Sequence, residues 1–290
     1  MKDDLKLLSP KDFPPLLREI PDAPKKLYVR GKLPSFNSVW LAVVGSRACT
    51  PYGRQALRYL IEGLRGYPVV IVSGLAYGID AEAHKTALEA KLPTVAAPGS
   101  GLDWNVLYPR ANVNLAREIL KAGLSGQGGA LLSEFEPSLK AADYTFPQRN
   151  RIMAGLCKAV LVVEAKERSG SLITARLATD YNRELLVVPG SIFSAESRGT
   201  HQFLKLGATP ITEPADILRA LGLEASTPVK ISHDDLSDTE ERVLETLKAP
   251  LSRDELLAAL ELPVSEANIL LSTMEIKGLI VEEFGVVRIR

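Results

Sequence analysis

The densest chemistry in this chain lies in one stretch, Tyr144-Thr145-Phe146-Pro147-Gln148-Arg149-Asn150-Arg151. Aromatic rings offer flat apolar faces on which bases stack, and guanidinium groups take phosphates through several donors at once. Lys140 lies just upstream, and Arg110 follows Tyr108-Pro109. Rings set beside a basic track are what a single nucleic-acid strand needs from its binder. The same residues also fit a structural arrangement, with Phe146 in a core and Arg149 and Arg151 bridging to Glu134, Glu136 or Glu164. One of the two arginines is expected in that structural role.

A second candidate is Gly45-Ser46-Arg47, which ends the apolar run Val39-Trp40-Leu41-Ala42-Val43-Val44. That run reads as a strand buried on both faces. Helical sequence resumes after Thr50-Pro51, an N-cap residue followed by proline at the first helical position. Strand, glycine turn and helix start together form an anion cradle, because the first amides of a helix lack internal partners. Arg47 would stand at that cradle and hold a phosphate, or else cap the sheet edge or pair with an acid. Ser73-Gly74-Leu75-Ala76-Tyr77-Gly78-Ile79-Asp80 repeats the strand-to-helix turn, with glycines that admit either a ligand backbone or a tightly packed helix. Asp80 and His84, spaced i, i+4, could be a catalytic pair, although a lone histidine is more readily explained by a structural hydrogen bond.

Other chemistries find no support. The chain lacks GxGxxG and GxxxxGK[ST], so neither tight NAD binding nor ATP hydrolysis is expected. Cys49 and Cys157 are the only cysteines, without CxxC spacing, which argues against a disulfide framework and a zinc site. No Ser-His-acid or Cys-His arrangement stands out. A binding protein without cofactor or metal is expected rather than an enzyme.

The elements that must position these groups alternate strand and helix over residues 39–222. Strands read at 39–44, 69–72, 93–97, 130–133, 159–163 and 185–188. Helices read at 52–65, 78–90, 112–122, 148–156, 171–181, 200–206 and 213–221. Residues 123–129 read as a flexible loop. This spacing implies right-handed βαβ crossovers and an α/β fold with a doubly wound, mostly parallel sheet. Polar and glycine-rich residues recur at the strand ends, where such sheets bind ligands. Residues 1–38, interrupted by prolines, read as an extended segment strapped across this domain. Residues 223–236 read as a polar linker. Residues 237–290 read as three short helices and a hairpin, a small winged-helix module, with Ser237, Ser252 and Ser265 as N-caps.

The formal net charge is zero, but 39–222 carry 20 Lys+Arg against 16 Asp+Glu, whereas 237–290 carry 6 against 11. The helix at 265–277 has no cation before Lys277, so phosphate attraction is unfavourable there, and a protein-contact or regulatory role is expected of the last module. No apolar run approaches the roughly 18 residues of a membrane span, and the N-terminus lacks a signal-peptide core; a cytoplasmic protein is expected.

Taken together, these motifs resemble the DNA-processing protein A family (the DprA or Smf family). The resemblance covers most of the central domain. It rests on Val44-Gly45-Ser46-Arg47, the Ser73–Asp80 stretch with His84, and Gly99-Ser100-Gly101-Leu102-Asp103 with Tyr108-Pro109 and Asn112. It continues through Phe146 to Ile152 with Ala154-Gly155-Leu156, Val163-Glu164-Ala165, Ser169-Gly170-Ser171-Leu172, Val188-Pro189-Gly190 and Gly207-Ala208. It implies an extended Rossmann-like domain that dimerises and binds single-stranded DNA without chemistry. It also implies protection of incoming strands during natural transformation and help in loading the RecA recombinase. The implied DNA-binding residues are Gly45, Ser46, Arg47, Ser73, Gly74, Arg110, Lys140, Phe146, Arg149 and Asn150, with Phe146 stacking on a base. Many members carry an N-terminal sterile-alpha-motif domain; with only about 38 residues before the first strand, it reads here as absent or vestigial. The homodimer surface is expected within 200–221, from Phe203, Leu204, Leu206, Ile211, Ile217, Leu218 and Leu221.

The alternative is a nucleotide-processing enzyme of related fold, of the phosphoribohydrolase type. Its Pro-Gly-Gly-x-Gly-Thr signature is broken here by Pro98-Gly99-Ser100-Gly101-Leu102-Asp103. A winged-helix transcription regulator is a third reading, disfavoured by the acidic helix.

Overall fold

Prolines break up residues 1–38, yet two strands form there rather than an extended strap. In the computed structural model, which describes residues 5–124, 128–224, 237–247, 249–260, 262–276, 279–283 and 285–289, strand β1 (Leu5–Leu8) pairs antiparallel with β2 (Leu27–Lys32). A short helix, α1 (Pro15–Glu19), lies between them. The prolines occupy the connections, where no ladder hydrogen bond is lost. Leu27, Val29, Leu17 and Phe13 are buried, so this segment is part of the main core.

From here strands and helices alternate: β3 (Val39–Val44), α2 (Pro51–Glu62), β4 (Val69–Ser73), α3 (Ile79–Glu89), β5 (Thr94–Ala96), α4 (Val113–Leu124) and β6 (Gly129–Ser133). They continue with α5 (Thr145–Leu156), β7 (Ala159–Val162), α6 (Ser171–Asp180), β8 (Glu184–Val187), α7 (Arg198–Lys205), β9 (Thr209–Pro210) and α8 (Pro214–Ala220). One nine-stranded sheet runs in the order β1-β2-β6-β5-β4-β3-β7-β8-β9. Every pair from β6 to β9 is parallel; β1 and β2 extend the β6 edge antiparallel. The region expected as a loop at 123–129 is helix to Leu124 and strand from Gly129, and residues 125–127 lie outside the described residues.

Strand periodicity divides β3 between two cores. Trp40, Ala42 and Val44 enter the layer with α1, α5 and α6, and Leu41 and Val43 the layer with α2, α3 and α8. A strand covered on both faces must be apolar throughout, which is why it is so legible. Pro51 opens α2 and Thr50 caps it, its Oγ1 accepting from Gly53 N at 3.1 Å.

The chain divides into two compact units, Met1–Glu224 and Ala225–Arg290. The linker expected at 223–236 falls almost wholly outside the described residues. The second unit holds α9 (Asp238–Thr246), β10 (Leu251–Ser252), α10 (Arg253–Leu260), α11 (Val264–Ile276), β11 (Ile280–Glu283) and β12 (Val286–Ile289). Its antiparallel sheet, in the order β10-β12-β11, has one strand more than the expected hairpin: β10, whose two residues are too few to show a strand periodicity in sequence. Val243, Leu256, Leu271, Met274 and Val287 form its core. Ser237 and Ser252 cap α9 and α10, whereas Ser265 lies inside α11. Among the described residues, no single helix is long and apolar enough to cross a membrane.

Candidate nucleic-acid interface

The sheet is wound in both directions from β3, towards β4 on one side and β7 on the other. The loops leaving β3 and β7 therefore diverge and open a crevice at the carboxyl ends of those strands. A cleft of about 600 Å³ lies there. Its walls come from Gly45 to Ala48 after β3, from Phe146, Pro147, Arg149 and Asn150 on α5, and from Lys166 and Arg168 to Ser171 after β7.

One wall is an aromatic and basic cluster. The Arg47 guanidinium sits over the Phe146 ring, 5.2 Å from its centroid, at cation–π distance. Phe146 in turn meets Tyr108 with ring centroids 5.8 Å apart at 57°. Arg47 is exposed and makes no hydrogen bond or ion pair to another described residue, so its N–H donors remain available. Gly99 makes room for the ring: a Cβ there would stand 2.5 Å from Phe146 Cδ1. Tyr77 and Tyr108, both partly exposed, border a smaller hollow beside Arg47 and Phe146.

The floor is built from residues that spend their polar groups internally. Arg149 is 6% exposed; its Nη1 donates to Gly74 O at 2.6 Å and to Ala97 O, and its Nε donates to Asn150 Oδ1 at 3.1 Å. Burial pulls its pKa down to about 10, against the opposing pull of Asp80. The Asp80 carboxylate accepts from Gly74 N at 3.1 Å and Ala76 N at 3.4 Å, and burial raises its pKa. Gly74 has no space for a side chain, because a Cβ would overlap the Arg149 guanidinium. Arg151 is held by Glu134 and donates to Asp22 O at 2.6 Å, so both arginines of the α5 motif are structural, not one. His84 is not paired with Asp80: its Nδ1 lies 2.7 Å from Thr94 Oγ1, whose own proton goes to Ile71 O.

Two expectations need correction. Ser73 is 0% exposed, and its Oγ donates to Val43 O at 2.7 Å. It pins β4 to β3 and cannot reach a ligand. The anion cradle at the start of α2 is filled from within: Thr50 N and Oγ1 donate to the Glu164 carboxylate at 2.9 and 2.5 Å, and Glu164 is 3% exposed. An internal carboxylate there satisfies the helix end and leaves no place for a phosphate. Lys140 is exposed on the approach to α5 but does not line the cleft.

The remaining nominated residues lie at or beside the rim. Ser46 O accepts from Ile79 N at 3.1 Å and Gly45 O from Ser171 Oγ at 2.8 Å, which ties the β3 turn to α3 and α6. Arg110 is exposed just beyond Pro109, with Nη1 on Trp104 O. Sequence reasoning missed Lys166 and Arg168, both exposed on the cleft wall. Lys166 Nζ lies 3.1 Å from Glu196 Oε1. Their signal was present, since a basic pair between a buried strand and Ser169-Gly170-Ser171 repeats the logic of the β3 turn.

The model of the DNA recombination-mediator protein A family matches residues 5–222, and that of the DprA winged helix domain matches 228–285. The chain belongs to the DprA family. It is 46% identical over 209 residues to protein Smf of Escherichia coli, covering 72% of this chain and 54% of that protein, so it spans about half the length of that relative. It is 44% identical over 206 residues to the DNA processing protein DprA of Streptococcus pneumoniae, covering 71% and 70% of the two chains. The solved S. pneumoniae DprA structure is 40% identical, with a TM-score of 0.66 over 74% of each chain. The Helicobacter pylori DNA processing protein A, described for its single-stranded DNA binding mode, is 30% identical, with a TM-score of 0.63 over 76% of this chain and 98% of that one. The first unit carries the DprA Rossmann-like fold with its mostly parallel sheet, and the last one its winged-helix domain.

Proposed function

We propose that this chain binds single-stranded DNA along the rim of the cleft and does so without catalysis. A base stacks at Phe146 and Tyr108, and phosphates lie on Arg47, Arg110 and Lys140. Gly45 and Ser46 shape the turn that presents Arg47; Gly74, Arg149 and Asn150 form the rigid floor beneath. The observation that carries this reading is the Arg47 guanidinium held over the Phe146 ring with its donors free. A guanidinium fixed in this way loses less freedom on meeting a phosphate than a mobile one. The H. pylori relative, with its single-stranded DNA binding mode, supports it.

In the cell this activity would protect incoming strands and help load RecA recombinase during natural transformation and recombination. The functional form is a homodimer. Of the apolar residues expected to form its surface, Phe203, Ile211, Ile217, Leu218 and Leu221 are buried core, Leu204 is half-buried against it, and Leu206 is 81% exposed. Phe193, 89% exposed, stands on the loop that His201 of α7 joins at Gly190 O, 3.1 Å away. We take Leu206 and Phe193 as the apolar surface that meets the second copy.

The test is a salt titration of oligothymidylate binding. Arg47→Ala should weaken binding and reduce the log–log salt slope by about 0.7, the share of one phosphate on a single strand. An unchanged slope removes Arg47 from the phosphate path. Release of free base from nucleoside monophosphates would overturn the non-catalytic reading in favour of a phosphoribohydrolase.

A further inference from the structure

A second basic and aromatic cluster lies outside the cleft. Trp104, in the connection between β5 and α4, has two guanidiniums against its indole, Arg30 from β2 and Arg117 from α4, each 5.2 Å from the ring centroid. Its carbonyl accepts from Arg110 Nη1. Arg117 also donates to Asn114 Oδ1 at 3.2 Å, so its head is held from two sides although it is exposed. Among the described residues, neither Arg110 nor Arg117 forms an ion pair with a carboxylate. Two guanidiniums held by Trp104 and without a paired acid keep their charge and their remaining N–H donors for an anion.

This cluster is continuous with the rim. Tyr108 touches Phe146, Pro109 lines the hollow beside Arg47, and Arg110 follows directly. The ledge is rigid, since Asn112 Nδ2 donates to Leu75 O at 2.8 Å and Ala76 O at 3.1 Å, clamping it to the β4–α3 turn. From Arg110 to Arg117 the helical rise advances about 10–12 Å, a step that brings a further phosphate of an extended strand within reach.

We infer that the strand-binding surface continues from Phe146 over Tyr108 and Arg110 to Arg117, with Trp104 as the pillar that positions Arg117 for a phosphate of a flanking nucleotide. This extends the single-strand reading above and rests on it. Arg117 makes the contact; Trp104 acts through it.

The experiment compares two oligothymidylates, one of roughly 5 and one of roughly 20 nucleotides, on the full chain at several salt concentrations. Arg117→Gln should bind the short strand as the wild type does. It should lose about fivefold in affinity for the long strand, with the salt slope there reduced by about 0.7. Trp104→Phe, which keeps a ring under the guanidinium, should show a smaller loss of the same kind with the wild-type slope. Long-strand binding by Arg117→Gln with wild-type affinity and slope overturns the extension and leaves the cleft reading intact. Equal losses at both lengths also overturn it, since they mark a fold-wide effect that thermal melting would register. A wild-type chain that binds neither strand removes the cleft reading itself.

Discussion

Gly99 lies beneath the ring at the centre of the proposed site, and Gly99→Ala tests whether that ring must be held in place. A Cβ at this position would stand 2.5 Å from Phe146 Cδ1 and 2.8 Å from Cε1. Carbon atoms in contact prefer about 3.5–4.0 Å, so the ring must move by about 1 Å or more. Its neighbours are set by the present position, Tyr108 at 5.8 Å and Arg47 at 5.2 Å, and both contacts would be disturbed. Stacking of a base on an aromatic side chain contributes about 1–3 kcal/mol, and a cation–π contact at an exposed site about 0.5–1 kcal/mol. Losing even the lower sum corresponds to a drop in affinity of about tenfold. Fluorescence anisotropy with labelled oligothymidylate should therefore show Gly99→Ala weakened by about tenfold or more, approaching Phe146→Ala. Its salt slope should stay that of the wild type, because no cation is removed. A melt of each variant separates this from instability, since overpacking costs about 1–3 kcal/mol and lowers Tm without altering the affinity of the folded fraction. Wild-type affinity in Gly99→Ala with a weakened Phe146→Ala would refute the claim that the ring is pre-positioned. Wild-type affinity in both would refute stacking on Phe146 altogether.

Glu164→Gln leaves one of the two Thr50 donors without a carboxylate oxygen, and urea unfolding should show the large unit destabilised by about 1–3 kcal/mol with its fold retained. His84 is buried neutral, its pKa lowered from 6.5 to about 3 by desolvation, so the fold disfavours its charged form. The stability this contributes is complete above pH 6.5 and falls by about 1.4 kcal/mol per unit as the pH drops towards 3. Between pH 7 and about 5 the wild type should lose about 2 kcal/mol that His84→Gln does not lose, measured as the difference in urea stability; equal losses would contradict the sign or the burial. Leu206→Asp combined with Phe193→Ser should shift sedimentation from dimer to monomer, and an unchanged mass would move the proposed interface elsewhere.

The central sheet was legible because β3, β4 and β7 are covered on both faces and so are written as apolar runs. The strand-end turns were legible because glycines and small residues concentrate where loops must diverge. β1, β2, β9 and β10 escaped notice: the first two are a short edge pair separated by a proline-rich connection, and the others are two residues long. Within the site, Arg47 and Phe146 could be nominated from residue type, and the structure places them in contact. What sequence could not convey was which polar groups face inward. Ser73, Arg149 and Arg151 have the right chemistry for DNA but bond to Val43 O, Gly74 O and Glu134 through pairings set by tertiary contact. Glu164 at the α2 N-terminus is of the same kind, 114 residues away from Thr50 in the chain.

The most direct test of single-strand binding at this rim is the affinity of a labelled oligothymidylate against a duplex of equal length, at a low and a high salt concentration. A clear preference for the single strand, weakening as salt rises and diminished in Arg47→Ala, is the result this account predicts. Equal affinity for the two forms, or no binding to either, would contradict it.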